Sequence, residues 1–158
     1  MCLKRVCSGG QRGADQGGLA AAQDMGLETG GWIPKGFLTL NGEMPWLAEL
    51  NIKEHPSSKY PPRTFLNVKE TDATIRLAYN FQTPGELCTL KAIQQYKKPY
   101  YDINLYEPDF IFDVIKWIER NNIVTLNVAG NAGSSQYEGT KIFKAVRRYL
   151  KCVFRAFV

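Results

Sequence analysis

A glycine-rich turn near the N-terminus is the segment of this chain best suited to chemistry. It spans residues 8–15, reads Ser-Gly-Gly-Gln-Arg-Gly-Ala-Asp, and lies between a short apolar run and a segment of helical character. A strand, a glycine turn and a helix start direct backbone N–H groups at one point, which is typical of an anion site. We therefore predict that a phosphorylated small molecule binds here, at Ser8, Gly9, Gly10, Gln11, Arg12 and Gly13.

The spacing of these glycines excludes the two commonest nucleotide-binding patterns. Gly9, Gly10 and Gly13 do not fit G-x-G-x-x-G, and no lysine completes G-x-x-x-x-G-K-[ST]. An ATPase, a GTPase and a standard dinucleotide-binding fold are therefore disfavoured. Arg12 can form two parallel hydrogen bonds with a phosphate. The simpler alternative is a tight strand-to-helix turn that carries a surface arginine.

Three further candidates lie between the first turn and the middle of the chain. Lys35 follows the second predicted strand, so it either borders the same cleft or is an exposed loop lysine. Trp32 either stacks on a planar ligand or packs in the core, and packing is favoured. Arg63 lies at a predicted helix start, and it either reaches the cleft or stays on the surface.

A second glycine turn precedes the helix that begins near Glu86. Thr83, Gly85 and Thr89 surround this helix start, where amides and hydroxyls can bind an anion. Glu86 itself is explained by the ordinary preference for an acid in the first turn. Gly130 opens a third polar turn, at residues 130–135, and joins the candidate binding residues.

Conventional catalytic and metal-binding groups are scarce. His55 is the only histidine and lies in a proline-flanked stretch, so a Ser–His–Asp or Cys–His arrangement is disfavoured. None of the four cysteines forms a C-x-x-C pair, which disfavours a zinc site. Helix capping explains Asp15 and Asp72. We predict no catalytic residue and no metal ligand.

Alternating strands and helices must position these turns. The pattern predicts a Rossmann-like α/β fold with three α/β/α layers and a mostly parallel sheet in the order 2-1-3-4-5. The turns would then meet at the carboxyl edge, where ligands bind between strands one and three. We predict strands at 3–7, 28–33, 73–78, 100–104 and 123–129, a sixth edge strand within 152–158, and helices at 15–25, 61–70, 86–97, 108–121 and 136–150, with an irregular stretch at 37–60.

Bulk properties indicate one domain, residues 1–158, in the cytoplasm. The net charge is +5, but the densest basic cluster, Lys144, Arg147, Arg148 and Lys151, is best read as a solvated helix face. We expect no nucleic-acid partner. No apolar run approaches the ~20 residues that span a bilayer, and no signal-peptide segment is visible. Cysteine usage fits a reducing compartment.

Several blocks of the sequence resemble the molybdenum cofactor carrier family. This family is related to the lysine-decarboxylase-like phosphoribohydrolases, and the blocks occur in its order along nearly the whole chain. They are Ser8 to Gly17, Thr29-Gly30-Gly31-Trp32 with Pro34-Lys35-Gly36, Tyr60, Arg63-Thr64, Asn67-Val68, Asp72-Ala73-Thr74 and Asn127-Val128-Ala129-Gly130.

The resemblance implies a protein that holds molybdenum cofactor, a pterin with a terminal phosphate, without transforming it. The phosphate or molybdate end would meet residues 9–13 and the Gly85 turn, and the carriers are homo-oligomers, so we expect a dimer or tetramer. Two features depart from the family pattern. Glu86 replaces a small hydroxyl residue and could repel an anion, and residues 131–135 lack a basic residue.

Two other functions stay open. One is a nucleotide N-glycosidase or phosphoribohydrolase-like enzyme that uses Arg12, Arg63 and Glu86, although the signature P-G-G-x-G-T-x-x-E is absent. The other is a nucleotide-sensing module. Released free base would indicate the enzyme, whereas retention of an intact cofactor would indicate the carrier.

Overall fold

Six parallel strands form the central sheet in the computed structural model, which describes residues 2–158. The sheet order is β5-β2-β1-β8-β6-β7, and β3 and β4 form a separate antiparallel hairpin. The strands are β1 Arg5–Ser8, β2 Glu28–Ile33, β3 Leu38–Thr39, β4 Gly42–Glu43, β5 Ile52–Glu54, β6 Ala73–Ala78, β7 Tyr100–Asn104 and β8 Thr125–Gly130; the helices are α1 Ala14–Asp24, α2 Tyr60–Lys69, α3 Pro84–Tyr96, α4 Ile111–Arg120 and α5 Gln136–Phe154.

Helices cover both faces of the sheet, which confirms the predicted Rossmann-like α/β class. On one face, α1, α4 and α5 enclose the main core, to which β6 contributes Ile75 and Leu77. On the other face, α2 and α3 pack around Val68 and Ile93. No helix within residues 2–158 is long and apolar enough to cross a membrane.

The predicted strand order is wrong in one respect. The strand predicted as the fifth, β8, lies between the first and the third, because Arg5 pairs with Thr125 and Thr74 with Asn127. Burial explains this position: Leu126 and Val128 are fully buried, as a central strand requires. The mixed pattern of β7, with only Ile103 buried, suits the sheet edge that it occupies.

The sixth strand was predicted in the wrong segment. Residues 152–154 complete α5, and Arg155–Phe157 form a short 3₁₀ helix, because Val153 and Phe154 are buried in the helical core. The true sixth strand is β5, which pairs with β2 inside the stretch predicted to be irregular. A 3₁₀ helix at Pro45–Leu50 also lies in this stretch.

Two glycines inside α1 allow the helix to pack closely. A Cβ at Gly18 would lie 2.6 Å from Cγ1 of Val128 on β8, and a Cβ at Gly17 would lie 2.9 Å from Cβ of Val146 on α5. These glycines therefore serve packing rather than the approach of a ligand. The same helix pair is joined by an ion pair between Arg147 and Asp24, with Nε and Oδ2 2.7 Å apart.

We expect Gly18→Ala to destabilise the protein although alanine favours helices. The added methyl group meets Val128, and such overpacking costs about 1–3 kcal/mol, more than the ~1 kcal/mol gained in helix propensity. Urea unfolding measures the change in unfolding free energy. The matched control is Gly85→Ala in α3, where a Cβ meets nothing within 4 Å. Equal stability of the two variants would contradict this account of α1 packing.

Candidate functional site

A cavity of about 730 Å³ opens at the carboxyl edge of the sheet. The loops that follow β1, β6 and β8 meet there, with β8 filling the gap between the other two strands. The cavity walls include Gln11 and Asp15 from the first loop, Tyr79, Asn80 and Thr83 from the second, Gly85, Glu86 and Thr89 from α3, Gly130, Asn131 and Ser134 from the third loop, and Tyr60, Arg63 and Thr64 from α2.

Asn131 joins the three loops. Its Oδ1 accepts hydrogen bonds from the N–H groups of Tyr79 (2.9 Å) and Asn80 (3.1 Å), in the loop after β6. Its Nδ2 donates to the carbonyl of Asn80 (2.9 Å) and to Oε2 of Glu86 (2.8 Å). Its carbonyl accepts from the N–H of Ala14 at the start of α1 (3.0 Å). The amide therefore uses both its acceptor and its donors to hold the cavity walls together.

The amides of the first turn are mostly bonded within the chain. The N–H of Gly10 donates to Ser8 Oγ (3.2 Å), that of Gln11 to Asp15 Oδ2 (3.1 Å), and that of Arg12 to Gln11 Oε1 (3.0 Å). Side-chain oxygens thus accept hydrogen bonds from N–H groups that the sequence analysis predicted to bind a phosphate. A ligand at this turn would have to displace them.

Arg12 points towards the third loop and does not line the cavity. Its Nε donates to the carbonyl of Ala132 (3.0 Å), its Nη2 to the carbonyl of Gly133 (2.9 Å), and its Nη1 to Oδ1 of Asn41 (3.1 Å). These bonds fix the loop after β8. Arg12 therefore supports the wall of the cavity from behind.

Arg63 is the cation that lines the cavity among residues 2–158. Its guanidinium lies over Gly9, where a Cβ would stand 2.6 Å from Cζ, so the glycine permits this approach. Nη1 donates to Thr64 Oγ1 (2.6 Å). Nε is buried and has no hydrogen-bond partner in the described chain. An orphaned, buried donor of this kind carries a desolvation cost that a ligand acceptor would remove.

Two buried carboxyl groups share the cavity with Arg63. Asp15 and Glu86 are 6% and 3% exposed. Burial raises the pKa of Asp15 to about 6, although the nearby Arg63 charge opposes the shift. Burial also raises the pKa of Glu86, opposed by hydrogen bonds from Thr83 and Asn131 and by the charge of Arg76. Such perturbed groups in a cleft are typical of functional sites.

Arg76 holds the Glu86 end of the cavity in place. It is a buried residue in β6, and its Nη1 donates to the backbone carbonyl of Glu86 (2.9 Å). Nε and Nη2 form a bidentate pair with Asp102 on β7, at 2.8 and 2.6 Å. Because all three bonds converge on one guanidinium, the first turn of α3 is tied to two strands.

The structure brings six of the predicted binding residues to the cavity: Gln11, Arg63, Thr83, Gly85, Thr89 and Gly130. Five other predicted residues do not line the cavity: Ser8, Gly9, Gly10, Arg12 and Gly13. Trp32 lies beside α2, where its backbone N–H donates to Asn67 Oδ1 (2.8 Å) and its indole N–H donates to Glu70 Oε1 (3.0 Å), and Lys35 is an exposed loop residue.

Sequence reasoning missed Tyr79, Tyr106 and Asn131 as site residues. Tyr79 directly follows a fully buried strand, a position that could have marked it. Tyr106 is 76% exposed at the cavity and packs edge-on against Tyr79, with ring centroids 4.6 Å apart. No group of three His, Cys, Asp or Glu side chains within residues 2–158 is placed to hold a metal ion.

The fold is that of a Rossmann-like α/β protein, with a cavity at the carboxyl edge of its sheet. Residues 6–154 match the model of the Circularly permutated YpsA SLOG family, and the chain belongs to this family. It is also similar to the crystal structure of a "Putative molybdenum carrier protein" from Syntrophus aciditrophicus SB. The identity is 32%, the TM-score is 0.83, and the match covers 96% of this chain and 95% of that one.

These matches confirm the resemblance to the molybdenum carriers noted in the sequence. A comparison with curated protein sequences yields no significant match.

We expect Asn131→Asp to lower the unfolding free energy by about 3 kcal/mol or more, since it replaces a donor by an oxygen beside Glu86 and the Asn80 carbonyl. Chemical denaturation measures the loss. Asn41→Asp introduces the same charge, but Asn41 uses its side-chain oxygen to accept from Arg12, so this control should keep its stability. A similar loss in both variants would contradict the role of Asn131.

We expect Asp15→Asn to stabilise the protein at neutral pH. Burial raises the pKa of Asp15 from 3.8, the ordinary value for an aspartate, to about 6 in the fold, so ionisation destabilises the native state. This cost is absent below the lower pKa and complete above the higher one. The advantage of the variant over wild type should therefore shrink by about 1–2 kcal/mol between about pH 7.5 and about pH 5.

Urea titrations at the two pH values measure this difference. Asp113→Asn on the exposed side of α4 is the control, and its offset from wild type should not follow the same curve. An Asp15→Asn advantage that grows as the pH falls would have the wrong sign for a desolvated carboxyl.

Proposed function

We propose that the cavity holds a phosphorylated small molecule, molybdenum cofactor or a related phosphorylated pterin, and does not transform it. The guanidinium of Arg63 on the cavity wall, whose buried Nε has no partner, is the observation that carries this proposal. The family and the description of the crystal structure as a molybdenum carrier support it. A volume of about 730 Å³ suits a ligand of this size, since such sites span roughly 300–1,000 Å³.

Arg63 is the group that receives the acidic end of the ligand. Its Nη1 is already oriented by Thr64, and Nε would gain its missing acceptor from a phosphate oxygen or molybdate oxygen. Charge-assisted bonds of this type stabilise a complex by about 1.5–3 kcal/mol each. Gly9 contributes by allowing the guanidinium to approach β1.

An N-glycosidase or phosphoribohydrolase-like reaction is the second candidate. The observation in its favour is the pair of buried carboxyls. Burial raises the pKa of Asp15 to about 6, a value that suits a general acid. In this alternative, Glu86 and Arg63 would act together with Asp15. Arg12 would have a supporting role, because its side chain is bonded to the carbonyls of Ala132 and Gly133. The nucleotide-sensing module would use the same cavity without cleavage.

The proposal includes a cytoplasmic homo-oligomer, a dimer or tetramer, whose partner is the small molecule. All four cysteines are free, which suits a reducing compartment. Asp24 pairs with Arg147 and lies 3.7 Å from Nζ of Lys151, which neutralises part of the basic cluster of α5 and argues against nucleic acid as a partner.

Native mass spectrometry of the purified protein tests the function. We expect an intact phosphorylated pterin to copurify with wild type, and Arg63→Gln to retain about tenfold less, because it loses a charged donor. Arg148→Gln, an exposed site on α5, removes the same charge away from the cavity and is the matched control.

Incubation with nucleoside monophosphates separates the alternatives. Intact recovery agrees with a carrier. Catalytic release of free base, abolished by Glu86→Gln, would replace the carrier by the hydrolase. Equal retention by the two arginine variants would remove Arg63 from the site.

A further inference from the structure

The charges of the cavity do not suit a ligand that is an anion at every point. Arg63 is the one cation on the walls within residues 2–158, whereas Asp15, Glu86 and Glu138 are acidic. Asp15 lies close enough to Arg63 for the two charges to influence each other. Glu86 lines the cavity at the second glycine turn, and its charge also acts on Asp15. The cavity therefore combines one cationic group for an anion with carboxyl groups that favour hydrogen-bond donors.

Glu86 presents one oxygen to the cavity and uses the other for structure. Oε2 accepts hydrogen bonds from Thr83 Oγ1 and from Asn131 Nδ2 (2.8 Å). Oε1 accepts none from any other residue in 2–158, and Glu86 lines the cavity. A carboxylate oxygen that no other residue engages offers an acceptor to a ligand donor.

The position of Glu86 is fixed before any ligand arrives. Arg76 holds its backbone carbonyl at 2.9 Å, and Asp102 holds Arg76. Thr83 caps the same helix and fixes the carboxyl. Because the group cannot turn away, it selects ligands instead of adapting to them.

Aromatic side chains also line the cavity. The backbone N–H of Tyr79 donates to the Asn131 amide that also holds Glu86, and the ring of Tyr106 packs edge-on against that of Tyr79. Aromatic side chains and a carboxylate acceptor on the walls of one cavity suit a planar heterocycle that carries N–H groups on its edge. The aminopyrimidinone ring, which pterins and guanine share, has an exocyclic NH₂ beside a ring N–H.

We propose that Oε1 of Glu86 accepts a hydrogen bond from the aminopyrimidinone edge of the ligand, while Arg63 binds its acidic group. This inference rests on the proposed function and names the part of the ligand that is read. The charge of Glu86 repels an anion at the second glycine turn. This position therefore selects a ligand group that donates a hydrogen bond.

Two matched ligand pairs test the proposal by calorimetry. The first pair is 6-carboxypterin and 6-carboxylumazine, and the second is GMP and IMP; within each pair the second member lacks the exocyclic amino group. We expect wild type to bind the amino member of at least one pair about tenfold or more tightly than its partner. The pair that binds identifies the ring system as a pteridine or a purine.

Glu86→Gln should abolish or reverse this preference. Asn131 Nδ2 and the Thr83 hydroxyl orient the glutamine oxygen towards themselves, so the amide NH₂ faces the cavity in place of Oε1. The site would then present a donor where it presented an acceptor. Glu119→Gln, at an exposed position of α4, is the charge-matched control and should keep the wild-type ratio. Thermal unfolding checks that both variants fold.

A wild-type ratio near one in both pairs, no binding of any of the four compounds at millimolar concentration, or an unchanged ratio in a folded Glu86→Gln would overturn the proposal. These results are distinguishable from failure of the proposed function. A protein that retains a phosphorylated pterin through Arg63 but ignores the amino group keeps the function and loses this inference. Release of free base from GMP would end the carrier function itself.

Discussion

The hydrogen bonds of one side chain, Asn131, hold the site of this protein together. Its amide spans the loops after β6 and β8 and the first turn of α3, and its carbonyl caps the start of α1. This is possible because β8 lies between β1 and β6, which brings the carboxyl ends of all three strands side by side. Gly130, with a φ of 153°, lets β8 lie close to β6, because a side chain at this position would collide with the carbonyl of Leu77.

The glycine-rich first turn illustrates how a nucleotide-binding appearance can serve structure. Gly9 lets Arg63 approach the sheet, and the amides of Gly10, Gln11 and Arg12 already donate to side-chain oxygens. Amides that are satisfied internally bind a ligand only at the cost of those bonds. The cationic donor on the cavity wall within residues 2–158 is Arg63, on a different element of the fold.

The carboxyls of Asp15 and Glu86 are held where they reduce stability. Both are buried, and the raised pKa of Asp15 means that its ionised form opposes folding at neutral pH. Each is nonetheless fixed by hydrogen bonds from the chain, Asp15 by Gln11 and Glu86 by Thr83 and Asn131. A costly, rigidly oriented group in a cavity is what selective binding requires, and proteins commonly lose stability at such sites.

Local pattern was enough to identify the five strands and five helices of the α/β framework, the carboxyl-edge location of the three polar turns, and residues such as Arg63 and Thr83 that line the cavity. These features depend on apolar periodicity and on turn chemistry, which neighbouring residues carry. The position of β8 beside β1, the strand β5 and the bonds of Arg12 to residues about 120 positions away depend on long-range packing, and no local pattern encodes them. The contacts of Gly9 and Asn131, and the bond between Asn131 and Glu86, also join residues that are far apart in the sequence. The roles of these residues therefore depend on the folded structure.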